Sequence, residues 1–124
     1  KRQTEDLVGK FEAPVVVRLL KIAEWELEKV RTWDRDSLSG LFQRMAETEE
    51  TKLKDLLRPF FFAISGSAVS LPLFDGMTLL GPDLSRVRLR KALNQLSESG
   101  SGLSKKRLKA LEKEYRTSYG ERID

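Results

Sequence analysis

The uncharged run at residues 59–74 (PFFFAISGSAVSLPLF) constrains the fold more than any other feature of this sequence. It is not a membrane span, because spanning takes about 20 apolar residues and because Pro59, Gly66 and Pro72 interrupt the run. Residues 60–64 favour a β-strand by composition. No other segment would pair with such a strand, and a lone strand leaves its backbone polar groups unpaired. We therefore predict a buried core segment that is helical or extended.

Apolar residues recur at spacings of three and four along most of the remaining chain, which is the pattern of amphipathic helices. The first predicted helix covers residues 13–30, with Pro14 in its first turn. Asp34 is a suitable N-cap for a second helix. Residues 52–57 (KLKDLL) form a short third helix. We expect it to end at Pro59, because proline lacks a backbone donor and clashes with the preceding turn.

The second half of the chain predicts two further helices with a break between them. Residues 73–80 (LFDGMTLL) form a short helix. Gly81 and Pro82 mark its end and the start of the next helix, which runs to about Ser97. Arg88 lies beside the apolar stripe of that helix, so we expect its side chain to be half-buried and hydrogen-bonded. The predicted fold class is all-α: a helical cage or bundle of about five to six helices with one buried apolar loop segment.

A stretch rich in glycine and serine divides the sequence near its end (SESGSG). We assign residues 1–97 to a helical domain, residues 98–103 to a flexible linker, and residues 104–124 to a basic helical extension. Because the chain opens on Lys1 without a methionine or an apolar leader, we also expect it to be the C-terminal piece of a longer protein.

The basic extension has two interpretations. It holds 7 Lys/Arg against 4 Asp/Glu, so we predict a tethered helix that adds affinity for an RNA backbone without sequence preference. The alternative, which the sequence leaves equally open, is that Leu108, Leu111 and Tyr115 dock the helix onto the domain and that its charges form a solvated face.

The composition excludes most catalytic chemistry. The chain has no cysteine and no histidine, so thiolate chemistry, zinc sites of the usual kind and histidine acid–base catalysis are absent. No glycine-rich phosphate loop is present. We therefore predict no catalytic residue and no metal site in this chain, and we expect a reducing, cytoplasmic location.

Charge and the uncharged loop together indicate an RNA partner. Residues 1–81 hold 12 Lys/Arg and 13 Asp/Glu, whereas residues 82–124 hold 11 and 6, so the basic character lies in the last third. Single-stranded RNA is recognised by stacking its bases on apolar surfaces and by holding its phosphates with cations. The candidate base-contacting residues are Ser70, Leu71, Leu73 and Phe74. The candidate cations include Arg58, Arg86 and Arg88.

A helical protein-interaction module explains the same features nearly as well. In that interpretation the phenylalanine run is core and the basic tail binds an acidic partner. An independent enzyme is a third class, which the missing histidine, cysteine and phosphate loop argue against.

Three segments in order resemble the C-terminal anticodon-binding region of bacterial-type glutamyl-tRNA synthetases. They are EWELEKVRTWDRDSLSGLFQRMAE, RPFFFAISGSAVSLPLFDGMTLLG and GPDLSRVRLRKAL. The second is similar to the family's P-L-R-V-A-L-T-G run, variable loop, L-F-E and L-L-G. The third is similar to the family's G-K-E-x-x-L-x-R-L-x-x-A-L ending. The resemblance covers about residues 15–97 and does not extend to residues 98–124.

The resemblance implies an all-α cage that recognises the anticodon loop of glutamate tRNA. The family positions that form the pocket for anticodon bases correspond to Ser70, Leu71, Leu73 and Phe74. The family's arginine in P-L-R-V corresponds to Phe61, which is a departure: either another basic residue replaces it, with Arg58 nearest in sequence, or stacking replaces a polar contact. Arg88 matches the arginine of the family ending.

The resemblance also implies a parent protein. That parent is a class I aminoacyl-tRNA synthetase, an ATP-dependent glutamate–tRNA ligase whose catalytic domain lies upstream in the same chain and uses ATP and Mg²⁺. The expected partner is the glutamate tRNA, and no membrane is involved. This chain itself is expected to bind no cofactor.

Overall fold

The computed structural model describes residues 7–65 and 71–120, and all the regular secondary structure within them is helical. Within these ranges there is no β-strand, so the predicted all-α fold class is confirmed. None of the helices in the described ranges has the length and apolar character that crossing a bilayer requires.

Five α-helices lie wholly within the described residues, with a π-helical turn before the last. They are α1 (Ala13–Leu27), α2 (Arg35–Thr48), α3 (Leu53–Ser65), α4 (Leu73–Leu96), the turn at Ser97–Ser101, and α5 (Lys105–Tyr119). The most extensive helix–helix packing is that of α3 on α4, and α4 also packs against α1. Most of the candidate binding residues in the described ranges lie at the junction of α3 and α4, so this packing positions them.

Local sequence signals set several of the helix starts. Asp34 caps α2 by accepting a hydrogen bond from the Ser37 backbone N–H at 2.8 Å, which confirms the predicted N-cap. The same bond holds the pKa of the Asp34 carboxyl below its usual range. Ser104 caps α5 by accepting from the Arg107 N–H at 3.2 Å, and Pro14 lies in the first turn of α1 as expected.

The prediction that the third helix ends at Pro59 is wrong. The α3 helix continues through this residue to Ser65, so the phenylalanine run is helical rather than extended. Proline inside a helix costs about 3 kcal/mol. Pro59, Phe60 and Ile64 are all buried, and a single buried Phe or Ile side chain is worth about 1.5–3 kcal/mol. Burial of the following turn therefore outweighs the local penalty.

The centre of the core lies where α2, α3 and α4 meet. The rings of Phe42 and Phe60 pack edge to face, with their centroids 4.8 Å apart. The Trp33 indole N–H, just ahead of α2, donates to the Met77 carbonyl of α4 at 2.8 Å. Of the phenylalanine run and the two residues after it, Phe60, Ala63 and Ile64 are buried, whereas Phe61 and Phe62 are half-buried. Residues 66–70 lie outside the described ranges, and Leu71 is exposed.

The last helix, α5, docks onto α1 and α2. Its Leu111, Tyr115 and Tyr119 side chains are buried. The Tyr115 hydroxyl donates to the carboxylate of Glu26 at 2.6 Å, and the Tyr119 hydroxyl donates to that of Glu49 at 2.6 Å. Hydrogen bonds to a charged acceptor contribute roughly 1.5–3 kcal/mol each.

Further contacts reinforce this docking. The Tyr115 ring lies 5.0 Å from the Trp25 ring. Arg18 of α1 joins Glu49 at 3.0 Å and Glu114 at 2.9 Å, and its hydrogen bond lowers the pKa of the Glu114 carboxyl. The prediction of a tethered helix is therefore wrong and the docked alternative describes the structure. The domain boundary placed at residue 97 stays a prediction.

We expect the docked helix to contribute to the stability of the whole chain. Ending the chain at Ser101 removes the three buried side chains of α5 and leaves the Glu26 carboxylate buried without its tyrosine donor. The melting temperature should fall by several degrees, since each kcal/mol shifts it by roughly 2–8 °C in domains of this size. Thermal unfolding followed by circular dichroism measures it, with a chain ending at Gly120 as control. Equal melting temperatures for the two chains would contradict the prediction.

We also expect the docking of α5 to weaken at alkaline pH. Burial, and then the Glu49 carboxylate, raise the pKa of the Tyr119 hydroxyl above the usual value of about 10. A raised folded-state pKa adds stability that is fully present below about pH 10 and is lost as the pH rises further. Urea unfolding at pH 8 and pH 11 should therefore show a larger loss for the native chain than for Tyr119→Phe. Parallel losses would disprove the assignment.

Candidate nucleic-acid interface

A small apolar pocket opens where α3 ends and α4 begins. Its volume is about 140 Å³, close to the cavity of about 150 Å³ that is known to hold one benzene ring. One aromatic ring is therefore the size of group that it can take. The residues that line it are Phe61, Ile64, Ser65, Leu71, Pro72, Leu73, Gly76, Leu79, Leu80 and Arg88.

The pocket has a buried floor and an exposed apolar rim. Ile64 and Leu73 are buried and form the floor, with Leu73 only 8% exposed. Leu71 and Leu79 stand at the rim, 47% and 78% exposed. Large apolar side chains that stay this exposed around a concavity are a feature of binding sites. Two predicted residues, Leu71 and Leu73, thus come together here.

Phe74 contributes to the core rather than to the pocket lining. It is half-buried, and its ring lies 5.7 Å from the Phe42 ring. The aromatic contact fixes the first turn of α4 on α2. Phe74 therefore supports the position of Leu73 and Leu71 next to it, while a base contact by Phe74 itself stays a prediction.

Arg88 supplies the polar group of the pocket. Its guanidinium is half-buried and donates to the Ile64 carbonyl near the end of α3, which confirms the environment predicted for it. A cation at this position also interacts favourably with the C-terminal end of the α3 dipole. Because a guanidinium has five N–H donors, Arg88 has further donors for a ligand in the pocket.

A basic groove adjoins the pocket and shares Phe61 and Leu73 with it. The other side chains along the groove include Lys10, Lys54 and Arg58. Lys10 forms an exposed ion pair of 3.6 Å with Asp55. The arrangement places a largely apolar, base-sized pocket directly beside three cations, which is the combination that single-stranded nucleic acid requires.

Arg58 is held in place by two contacts. Its guanidinium carbon lies 4.9 Å from the centre of the Phe62 ring, within the range of a cation–π interaction. Its stem lies against Gly9, where a β-carbon would come within 2.5 Å of the Arg58 Cδ. Phe61 meets the Phe62 ring edge-on, with the ring centroids 5.5 Å apart. Phe61, which stands where the family has an arginine, thus forms the wall between the pocket and the groove.

The structure does not bring Arg86 to this site. It is exposed and lines a separate cleft with Glu24, Trp33 and Pro82. Residues two apart on a helix point about 200° apart, so Arg86 and Arg88 face different sides of α4. Ser70 lies outside the described residues.

A break in α4 shapes the rim of the pocket. Gly81 has φ 83° and ψ 172°, a conformation that is essentially restricted to glycine. The break redirects the chain between Leu79 and Leu80 on one side and Arg88 on the other, so that all three line the same pocket. The sequence predicted the break itself, from Gly81 followed by Pro82.

A family model described as an anticodon binding domain matches residues 3–93. The chain belongs to the anticodon binding domain family. The match covers α1–α4, including both the pocket and the basic groove, and ends before α5.

Curated relatives of this family member include glutamate–tRNA ligases of three bacteria. That of Saccharophagus degradans is 46% identical over 98 residues, 79% of this chain and 19% of the relative. That of Cellvibrio japonicus is 45% identical over 94 residues, 76% and 18% of the two proteins. That of Marinomonas sp. is 40% identical over 106 residues, 86% and 21%. The chain therefore spans about a fifth of the length of these relatives.

Sequence reasoning missed several residues of this anticodon-binding fold. The pocket also uses Leu79 and Leu80, and the groove also uses Lys10 and Lys54. The two leucines had a signal, since they directly precede the predicted break at Gly81. Lys54 also had a signal, because it precedes Arg58 and Phe61 by four and seven residues in α3 and so shares their face of the helix, but the end wrongly predicted at Pro59 concealed it. Lys10 had none, because its place depends on the packing of the N-terminal segment against α3.

We expect Gly81 to be required for its backbone conformation alone. A β-carbon at Gly81 would have no atom within 4 Å, so Gly81→Ala should destabilise the domain by about 1–3 kcal/mol through backbone strain. Gly40, in the middle of α2, also has open space around it, and Gly40→Ala should stabilise by about 0.5–1 kcal/mol. Urea unfolding of both variants measures the difference. If Gly81→Ala and Gly40→Ala changed the free energy of unfolding in the same direction, α4 would not need the glycine conformation at its break.

Proposed function

We propose that this chain is the C-terminal, anticodon-recognising domain of a glutamate–tRNA ligase. In this proposal the pocket between α3 and α4 receives an unstacked base from the anticodon loop of the glutamate tRNA. The observation that carries the proposal is the base-sized pocket with exposed Leu71 and Leu79 at its rim, inside the stretch that the anticodon binding domain model matches.

The chemistry of the pocket suits a nucleobase. Leu71, Leu79 and Phe61 provide apolar surface for the face of the ring, and stacking of this kind is worth about 1–3 kcal/mol per base. Arg88 and the Ser65 hydroxyl provide polar groups for the base edge. Ser70, which precedes Leu71 in sequence, is proposed as a second hydroxyl at this edge.

The groove cations would hold the RNA backbone that enters the pocket. Arg58, Lys10 and Lys54 lie beside the pocket wall, where phosphates on either side of a splayed base would run. Such contacts fix register without specifying sequence. Arg86, on another side of α4, is proposed as a peripheral phosphate contact only.

The surroundings of Phe61 favour one of the two alternatives for the position at which the family has an arginine. Its ring stands between the pocket and the groove, while Arg58 remains on the face of Phe62. We propose that an apolar contact from Phe61 replaces the polar contact at this position, and that Arg58 serves the backbone rather than the base edge.

The proposal extends to the whole protein. Residues 1–97 would form the anticodon domain, residues 98–103 a connection and residues 104–124 an extension. A catalytic domain upstream would bind ATP and Mg²⁺ and transfer glutamate to the tRNA in the cytoplasm. This chain would supply binding alone, and no group of metal-ligating side chains occurs in its described ranges.

The experiment compares Leu71→Asp with Val15→Asp, a change at a similarly exposed apolar residue away from the pocket. Affinity is measured for the glutamate tRNA and for the same tRNA with a swapped anticodon. We expect Leu71→Asp to weaken binding of the glutamate tRNA by about 5- to 150-fold, the equivalent of 1–3 kcal/mol, because a carboxylate repels the base and its phosphates. Val15→Asp should leave the affinity unchanged.

Two results would contradict the proposal. The first is a native protein that binds both tRNAs equally, which would favour a helical protein-interaction module. The second is equal weakening by the two variants. Melting temperatures of both variants, measured alongside, separate a loss of folding from a loss of binding.

A further inference from the structure

The outward side of α5 carries a row of cations. Lys105, Lys109, Lys113 and Arg116 follow one another at spacings of four, four and three residues and are all exposed. On a helix with 100° per residue these four lie within a sector of about 80°, and Lys106 extends it to about 100°. We call these five residues the basic row. Neither carboxylate of the helix lies in this sector.

Most of the basic row is unneutralised. Arg116 pairs with Glu112 at 3.2 Å. Lys105, Lys109 and Lys113 form no ion pair within the described part of the chain. Like charges four residues apart destabilise a helix by a few tenths of a kcal/mol per pair. A helix that keeps two such pairs in line therefore has a charge pattern that its own stability does not explain.

Docking fixes the direction in which the basic row faces. Tyr115 bonds to a carboxylate of α1 and Tyr119 bonds to that of Glu49, the residue that directly follows α2. Glu114 on one flank of α5 bonds to Arg18 of α1. The tyrosines and one of the two helix carboxylates are thus engaged with the domain, and the lysines are left on the solvent side. A tethered helix would present its cations in all directions, whereas this helix presents them as a fixed surface.

We propose that the basic row is a second contact surface for the same RNA, which binds its phosphate backbone without recognising sequence. The inference rests on the proposed function, because it takes the tRNA as the ligand. From Lys105 to Arg116 the row is about 16 Å long at 1.5 Å per residue. Successive lysines of the row are about 6 Å apart along the helix axis at 1.5 Å per residue, so the row can contact several neighbouring phosphates of one RNA strand.

The chemistry of the row favours phosphates over an acidic protein. Lysine ammonium groups act as point charges toward phosphate oxygens, and a straight row of them matches the regular line of charge on a nucleic-acid strand. The exposed sector contains no aromatic or large apolar side chain, and such anchors are what protein interfaces depend on. The surface therefore has charge without the means of packing against a protein partner.

The test combines Lys105→Gln, Lys109→Gln and Lys113→Gln in the complete protein. Affinity for the glutamate tRNA is measured at several salt concentrations. Each lost phosphate contact lowers the salt slope of log K by roughly 0.7 in a single-stranded region, so the triple variant should have a slope lower by about 2. Between 50 and 200 mM salt the native protein should then lose roughly 20-fold more affinity than the variant.

Two matched controls accompany the triple variant. Arg31→Gln, Arg35→Gln and Lys52→Gln together remove the same charge from exposed positions outside α5 and should change the slope little. Lysine-to-arginine changes at the three row positions keep the charge and should keep the slope. The inference is overturned if the row variant, like the first control, changes the salt slope little. It is also overturned if the row variant keeps tRNA binding but loses binding to polyglutamate, which would indicate an acidic protein partner.

A tRNA with a swapped anticodon separates this inference from the proposed function. The row variant should weaken binding of both tRNAs by the same factor, which leaves their affinity ratio as in the native protein. Weakening confined to the glutamate tRNA overturns the inference, because the row would then recognise sequence. A third outcome would overturn the proposed function alone. In it, the native protein binds both tRNAs equally, and the row variant still has a lower salt slope than the native protein.

Discussion

Two buried carboxylates of α1 decide how the other helices are arranged. Glu24 bonds to Arg90 of α4, and Glu26 bonds to Tyr115 of α5 at 2.6 Å and lies 3.5 Å from Arg44 of α2. A buried charge that loses its partner destabilises a protein by about 3–5 kcal/mol. Each of the three partner helices therefore supplies a bond to a buried carboxylate of α1, in addition to the ion pairs of Glu24 with Lys21 and of Glu26 with Lys29, and its displacement would leave that carboxylate with fewer partners.

The binding pocket inherits its geometry from this constraint. Arg90 holds one side of α4 on α1, and Arg88, two residues earlier, faces away from it and donates to the Ile64 carbonyl of α3. The two arginines thus clamp α4 between α1 and α3. The break at Gly81 changes the direction of the chain between the first and second parts of α4. The leucines before the break and Arg88 after it therefore line a single pocket instead of lying along one straight helix.

The sequence predicted features whose causes are local. The N-cap at Asp34, the break at Gly81 and the half-buried Arg88 each follow from neighbours within one or two turns. The continuation of α3 through Pro59 could not be predicted from local sequence, because the energy that outweighs the proline penalty comes from burial against α2 and α4. The docking of α5 could not be predicted in this way either. The bond between Tyr115 and Glu26 joins residues 89 apart in sequence, and no periodicity specifies such a pair.

The two kinds of RNA contact proposed here differ in their physical basis. The pocket is lined by apolar groups that surround one half-buried guanidinium, and stacking there depends on shape and desolvation, which salt hardly affects. The groove and the basic row consist of exposed ammonium and guanidinium groups, and their contribution falls steeply with salt through counterion release. If the pocket alone recognises a base, as proposed, its share of the total binding free energy should grow as salt removes the contribution that all RNA sequences share. Salt therefore lowers the affinity of such a domain while leaving its specificity ratio largely intact.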